Sequence, residues 1–279
     1  MQFREMQVLL TGATGGIGRE LAHQLAAKGA RVITLGRHPE TLEQLASSLP
    51  ETGTDPHAWL ALDLCAPGQR RELADKLEAR GLAPNVLINL AGSNLFGLFE
   101  NQREQDLEAL LQTNLNATVL LTHALLPMLL RRPEARIFNV GSTFGSIGHP
   151  GYVAYCTTKF ALRGFSEALH RELADSNIQV QYCAPRATRT ALNCDAACAL
   201  NRELHNQVDE PAAVARALIV QLASGETNRY LGWPEKLFVR INSLWPALVS
   251  SSISRRLPII KRYASADGDP DNPLKEARI

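Results

Sequence analysis

Apolar residues in this chain fall in short runs separated by longer stretches of mixed, helix-like character. Met6 to Leu10, Ala30 to Leu35, Trp59 to Leu64, Asn85 to Leu90, Arg136 to Val140 and Ile178 to Cys183 read as six strands. Glu20 to Lys28, stopped by Gly29, and the long segment Glu104 to Leu130 read as helices. Alternation of strand and helix predicts an α/β architecture, a doubly wound parallel sheet with helices on both faces.

The first strand runs into Thr11-Gly12-Ala13-Thr14-Gly15-Gly16-Ile17-Gly18 and then a helix. Strand, glycine-rich turn and helix in that order signal dinucleotide binding. Gly12 permits the tight turn, and Gly16 and Gly18 let backbone and pyrophosphate approach. The helix N-terminus offers free N–H groups to the phosphates. Farther along, Ser142 precedes Tyr155-Cys-Thr-Thr-Lys159. Tyrosine and lysine at i and i+4 project from one helix face. A cation near a phenol favours its ionised form. At ~4 Å and an effective dielectric of ~20 such a pair is worth about 4 kcal/mol, which predicts a lowering of the Tyr155 pKa by about one to three pH units. Ser142, in the loop before the helix, is placed to hydrogen-bond a substrate oxygen.

These motifs resemble the short-chain dehydrogenase/reductase family, whose glycine pattern is Thr-Gly-x-x-x-Gly-x-Gly, and the likeness runs from about residue 6 to about residue 232. It implies a Rossmann fold and carbonyl reduction or alcohol oxidation with a nicotinamide cofactor. Ser142, Tyr155 and Lys159 become the catalytic set, with Asn114 ordering a water in the proton relay. Asn116 is the poorer candidate for that role. Gly12, Thr14, Gly16, Ile17 and Gly18 are assigned to the cofactor. So are Asp63 at the adenine edge, Leu64 as backbone lining, and Asn89, Ala91 and Gly92 after the fourth strand. Tyr155 and Lys159 also face the cofactor. After the sixth strand, Pro185 and Thr190 match the family pattern, but Arg186 replaces its glycine, which either alters substrate polarity or places a cation near the site. At the end of the second strand Gly36 stands where an acid would hold a ribose hydroxyl, and Arg37 follows, so NADP(H) is expected over NAD(H). Arg19 reads as a solvated helix residue.

The chain has 279 residues, 45% of them hydrophobic, and a net charge of +1. That suits one sizeable core and gives no reason to expect nucleic acid. Five cysteines without metal-site spacing fit reduced thiols in a cytoplasmic setting, and no metal is expected. Neither a signal peptide nor a spanning helix is expected.

Residues 191 to 210 correspond to a substrate lid, whose leucines and alanines suggest an apolar or amphipathic small-molecule substrate. The family's final strand signature is missing. Residues 1 to 235 would form the catalytic domain, 236 to 263 a basic and apolar extension, and 264 to 279 a polar tail. From 236 to 262 the chain carries six cations and no acid among Trp and aliphatic residues. Two readings stay open: a helical hairpin broken at Pro246 and Pro258 and packed on the pocket or a second subunit, or peripheral membrane contact. A homo-oligomer is expected. The function expected is NADP(H)-dependent oxidoreduction of a carbonyl or secondary alcohol, and the alternative is a non-catalytic NADP(H)-binding sensor or scaffold.

Overall fold

The computed structural model describes residues 1–53 and 55–266. Seven strands form one sheet in the order β3-β2-β1-β4-β5-β6-β7. They are β1 (Gln7–Thr11), β2 (Arg31–Gly36), β3 (Ala58–Ala61), β4 (Val86–Asn89), β5 (Ala135–Val140), β6 (Ile178–Ala184) and β7 (Asn228–Tyr230). Every pairing is parallel, so all carboxyl ends lie on one edge. Strand order reverses between β1 and β4, where such sheets open a crevice for ligands. Helices cover both faces, and the central strands are accordingly buried on both sides: every residue of β5 is buried, the polar Arg136 and Asn139 included.

The helices in chain order are α1 (Gly16–Ala27), α2 (Pro39–Ser48), α3 (Pro67–Arg71), α4 (Leu73–Ala79), α5 (Glu104–Leu111), α6 (Ala117–Leu130), α7 (Val153–Glu172), α8 (Asp195–Glu203), α9 (Pro211–Ser224), α10 (Glu235–Leu244) and α11 (Pro246–Ala266). On one face α1 packs against α9, and Leu21, Leu25, Leu218 and Leu222 fill the layer beneath the sheet. On the other, Leu121, Leu125 and Met128 of α6 pack with Leu9 and Ile137.

The expected helix Glu104 to Leu130 is continuous, with a π-helical turn, Gln112–Asn116, between α5 and α6. By length and composition that segment could cross a membrane, contrary to expectation, but it serves as a core element with Leu110, Asn114, Leu121 and Leu125 buried. The third strand stops at Ala61, short of Leu64, because the Asp63 carboxylate accepts from the Cys65 N–H at 2.8 Å and bends the chain into a turn. A seventh strand, absent from the sequence reading, forms at Asn228–Tyr230 against β6. The extension breaks at Pro246 but not at Pro258, which α11 carries on an exposed side. α11 continues beyond 263 to Ala266, and the remainder of the expected tail lies outside the described residues.

Candidate active site

The site forms where the carboxyl ends of β1, β4, β5 and β6 meet. Gly12 has a φ of +66°, and a Cβ there would sit 2.8 Å from the Ala91 backbone. The turn therefore needs glycine to lie against the strand β4 exit. Thr11, which sequence reasoning passed over, ties the same junction: its Oγ1 accepts the N–H groups of Leu90 and Ala91 at 3.0 Å. Gly15 precedes α1 without a side-chain cap, so the first amides of the helix are available to an anion. Thr14 stays within this turn, its carbonyl accepting from Arg19 Nε at 2.9 Å. Gly18 is buried at the head of α1.

Gly16 is covered from the far side. A Cβ there would come within 2.9 Å of Thr190 Cγ2, so the glycine turn and the loop after β6 form two walls of one groove. Pro185 is buried in that loop, and its carbonyl accepts from the Thr143 N–H at 3.0 Å. Ile17, Gly92, Pro185 and Thr190 all line the cavity described below. Arg37 stands exposed just beyond β2 and forms no ion pair among the described residues. Asp63 and Leu64 lie past β3 on the same sheet edge, where the Leu64 carbonyl accepts from the Arg70 guanidinium. An ungated helix start, a glycine turn walled by Thr190 and a free cation beyond β2 fit a dinucleotide with phosphate at α1.

Asn89 serves the sheet: its Nδ2 donates to Asn139 Oδ1 at 2.8 Å and Thr122 Oγ1 at 3.1 Å. Asn114, within the π turn, is buried and clamped. Its Oδ1 accepts from the Ser93 N–H at 2.7 Å, and its Nδ2 donates to the Ser93 carbonyl at 2.9 Å and Thr158 Oγ1 at 3.3 Å. The π turn presents this amide toward α7, a use such turns often serve at functional sites. Asn116 instead donates to Gln112 on the exposed side.

Ser142 caps a short turn, its Oγ accepting from the Phe144 N–H at 3.1 Å, and also hydrogen-bonds Tyr155. Tyr155 and Lys159 lie one turn apart on α7. The expected lowering of the tyrosine pKa is not what this arrangement gives. Burial pushes Tyr155 up to about 12, although the Ser142 hydrogen bond works the other way. The lysine does not offset the burial. Its Nζ donates to the Val140 carbonyl at 3.3 Å and lies 5.6 Å from the phenol ring centroid. Burial in turn pushes Lys159 down to about 8.

Ser142, Tyr155 and Lys159 line a cavity of about 530 Å³. Its other walls come from the lid (Leu200, Leu204) and from the C-terminal helices (Phe238, Ile253, Ile260). The extension thus packs over the pocket: Ile260 and Ala264 of α11 are buried with Ala197 and Leu200 of α8. An aromatic wall that the sequence did not reveal stands beside Tyr155. Phe144 stacks on His149 with centroids 5.0 Å apart and meets Tyr155 edge-on at 6.4 Å.

Arg186 resolves the departure at the family's glycine. Its guanidinium grips Asp209 at 2.7 and 3.0 Å and Glu235 at 3.1 Å, and Gln207 at 2.7 Å. The cation is neutralised rather than offered to a substrate. It clasps the loop after β6, the end of the lid and the start of α10.

Comparison with known proteins agrees with this geometry. The family model described as short chain dehydrogenase matches residues 6–198. Dehydrogenase/reductase SDR family member 7B of Bos taurus is 31% identical over 257 residues, covering 88% of this chain and 79% of that protein. A short chain dehydrogenase of Shigella flexneri, solved in complex with NADP, is 29% identical with a TM-score of 0.70, covering 81% of this chain and 96% of that one. A short chain dehydrogenase/reductase of Burkholderia phymatum, solved with NAD, shares the fold at a TM-score of 0.77 and 21% identity, over 89% of this chain and 96% of that one. This chain belongs to the short-chain dehydrogenase family of oxidoreductases.

Proposed function

We propose that the protein is an NADP(H)-dependent oxidoreductase that reduces a carbonyl, or oxidises the corresponding secondary alcohol, on an apolar or amphipathic small molecule. The observation that carries this is the meeting of Ser142, Tyr155 and Lys159 in one cavity walled by Leu200, Leu204, Phe238 and Ile260. Gly12, Gly16, Gly18 and the start of α1 would hold the pyrophosphate, with Ile17, Ala91, Gly92, Pro185 and Thr190 along the nicotinamide half. When bound, the reduced nicotinamide supplies the hydride to the carbonyl carbon.

In the reducing direction Ser142 donates a hydrogen bond to the carbonyl oxygen, and Tyr155 Oη delivers its proton to that oxygen as the alkoxide forms. With a pKa near 12, Tyr155 is protonated at neutral pH and ready as an acid. Lys159 would hold the cofactor ribose and, with a water held near Asn114, would return the proton to Tyr155. Oxidation runs the same transfers backward. The NADP(H) preference is supported by exposed Arg37, by Gly36 in place of an acid, and by the NADP complex of the Shigella flexneri relative. Asp63 and Leu64 would border the adenine.

Arg186, in place of the family's glycine, is the one departure that would favour a non-catalytic sensor, and its ion pairs to Asp209 and Glu235 give it a structural reason instead. Exposed Leu120, Val153 and Phe160 on α6 and α7 support assembly with further copies. Five cysteines outside any disulfide support a cytoplasmic setting. A panel of apolar ketones and aldehydes with NADPH, followed by loss of cofactor absorbance, tests the reading. Turnover that Tyr155→Phe abolishes supports it, and cofactor binding with no turnover across the panel overturns it in favour of the sensor.

A further inference from the structure

The helical extension hides part of its apolar surface and displays the rest. Val239, Val249, Ile260 and Ala264 face inward. On α10 the side opposite Val239 carries Leu237 and Leu244, which are 42% and 68% exposed. The elbow between α10 and α11 adds Trp245 at 61% and Leu248 at 63%, and Trp233 at the approach to α10 is 70% exposed. A helix that turns leucines to solvent on its outer side has the polarity of an interfacial element rather than of a surface helix of a globular domain.

Charge decides what would cover this surface. Lys236, Arg240, Arg255, Arg256 and Lys261 form no ion pair among the described residues, and only Arg262 of the six cations is paired, with Glu203. No acid occurs between 236 and 262 to balance them. A two-fold contact between copies through this elbow would set like charges against like. An anionic bilayer satisfies both features at once, accepting the Trp and Leu side chains at the headgroup boundary and attracting the lysines and arginines.

We propose that the α10–α11 elbow, centred on Leu244, Trp245 and Leu248, docks this protein on anionic lipid surfaces. Phe238 and Val249, on either side of the elbow, line the substrate cavity, so the docked enzyme takes its apolar substrate from the lipid side. Uptake of substrate from the lipid side rests on the activity proposed above, whereas docking does not.

The test is co-sedimentation of the full chain with phosphatidylcholine vesicles and with vesicles containing phosphatidylglycerol. The expected result is binding to the anionic vesicles with a blue shift of tryptophan emission, weakened by added salt. The triple variant Leu244→Ser, Trp245→Ser, Leu248→Ser is expected to lose about ten-fold or more of that affinity, while its circular dichroism and NADPH binding match the parent. None of the three residues lines the cavity, so turnover of a water-soluble carbonyl is also expected to persist. Failure to sediment with anionic vesicles, or equal binding by the triple variant, overturns the proposal. So does a change of oligomeric state on introducing the three serines, which would assign the elbow to a second copy of the chain.

Discussion

The Lys159 ammonium donates to the carbonyl oxygen of Val140, 3.3 Å away at the carboxyl end of β5. The lysine is therefore anchored to the sheet, and burial sets its pKa near 8. The proposed reduction requires Lys159 charged and Tyr155 protonated, and the lysine loses its proton first. Rising pH is expected to lower kcat/KM for reduction through about 8, well before the tyrosine near 12 titrates. A profile that stays flat to pH 10 would remove Lys159 from the proton path. The stability effect has the opposite sign. Between about 8 and the lysine's ordinary 10.5 the unfolded chain binds the extra proton, so stability attributable to this group rises with pH across that window. Melts of the parent and Lys159→Met over that range measure it.

Tyr155→Phe removes the acid and leaves the ring in its aromatic wall. Turnover is expected to fall by about 10³- to 10⁴-fold with NADPH affinity retained. Steady-state rates and fluorescence titration on the same preparation separate the two.

Removing the clasp should loosen the lid. Arg186→Ala leaves Asp209 and Glu235, both largely covered, without their cation. The expected cost is about 2 kcal/mol of stability, with KM raised more than kcat is lowered. Thermal melts and limited proteolysis across 191–210 check it. An unchanged melting temperature together with an unchanged KM would mean that the ion pairs fasten nothing.

The proposed preference for NADP(H) turns on one exposed side chain, Arg37. Arg37→Ala is expected to weaken NADPH binding about ten-fold, the worth of one charge-assisted phosphate contact, and to leave NADH binding nearly unchanged. Parallel titrations decide this, and an equal loss for both cofactors would place Arg37 elsewhere.

What could be read in the sequence follows from locality. A strand, a glycine turn and a helix are contiguous, so the Gly12–Gly18 groove was visible, as was the Tyr155–Lys159 pair on a single helix. The parallel sheet then brought Ser142, Asn114 and Thr190 to the same edge. Properties set by distant neighbours were hidden. The Tyr155 pKa depends on burial beneath the lid and extension, and that outweighs a lysine turned toward Val140. Asn-Arg-Tyr at 228–230 has no apolar run, yet β6 recruits it as a strand. Pro258 reads as a helix breaker, but it lies on the solvent side of α11, where the Ser254 carbonyl left without its N–H partner is open to water. Arg186 looked like a stray active-site cation because Asp209 and Glu235 are 23 and 49 residues away.

The π turn at Gln112–Asn116 also acts on helix phase. One extra residue in a turn rotates everything downstream by about 100° relative to an unbroken helix. α5 can then direct its stripe at α7 while α6 directs its own at β4 and β5, although the two run on nearly one axis. The bulge works as a crank, setting two helical faces to two different neighbours. Deleting a single residue there would throw the leucines of α5 out of step with α7 and withdraw Asn114 from Ser93, so folding and the proposed proton relay would fail together.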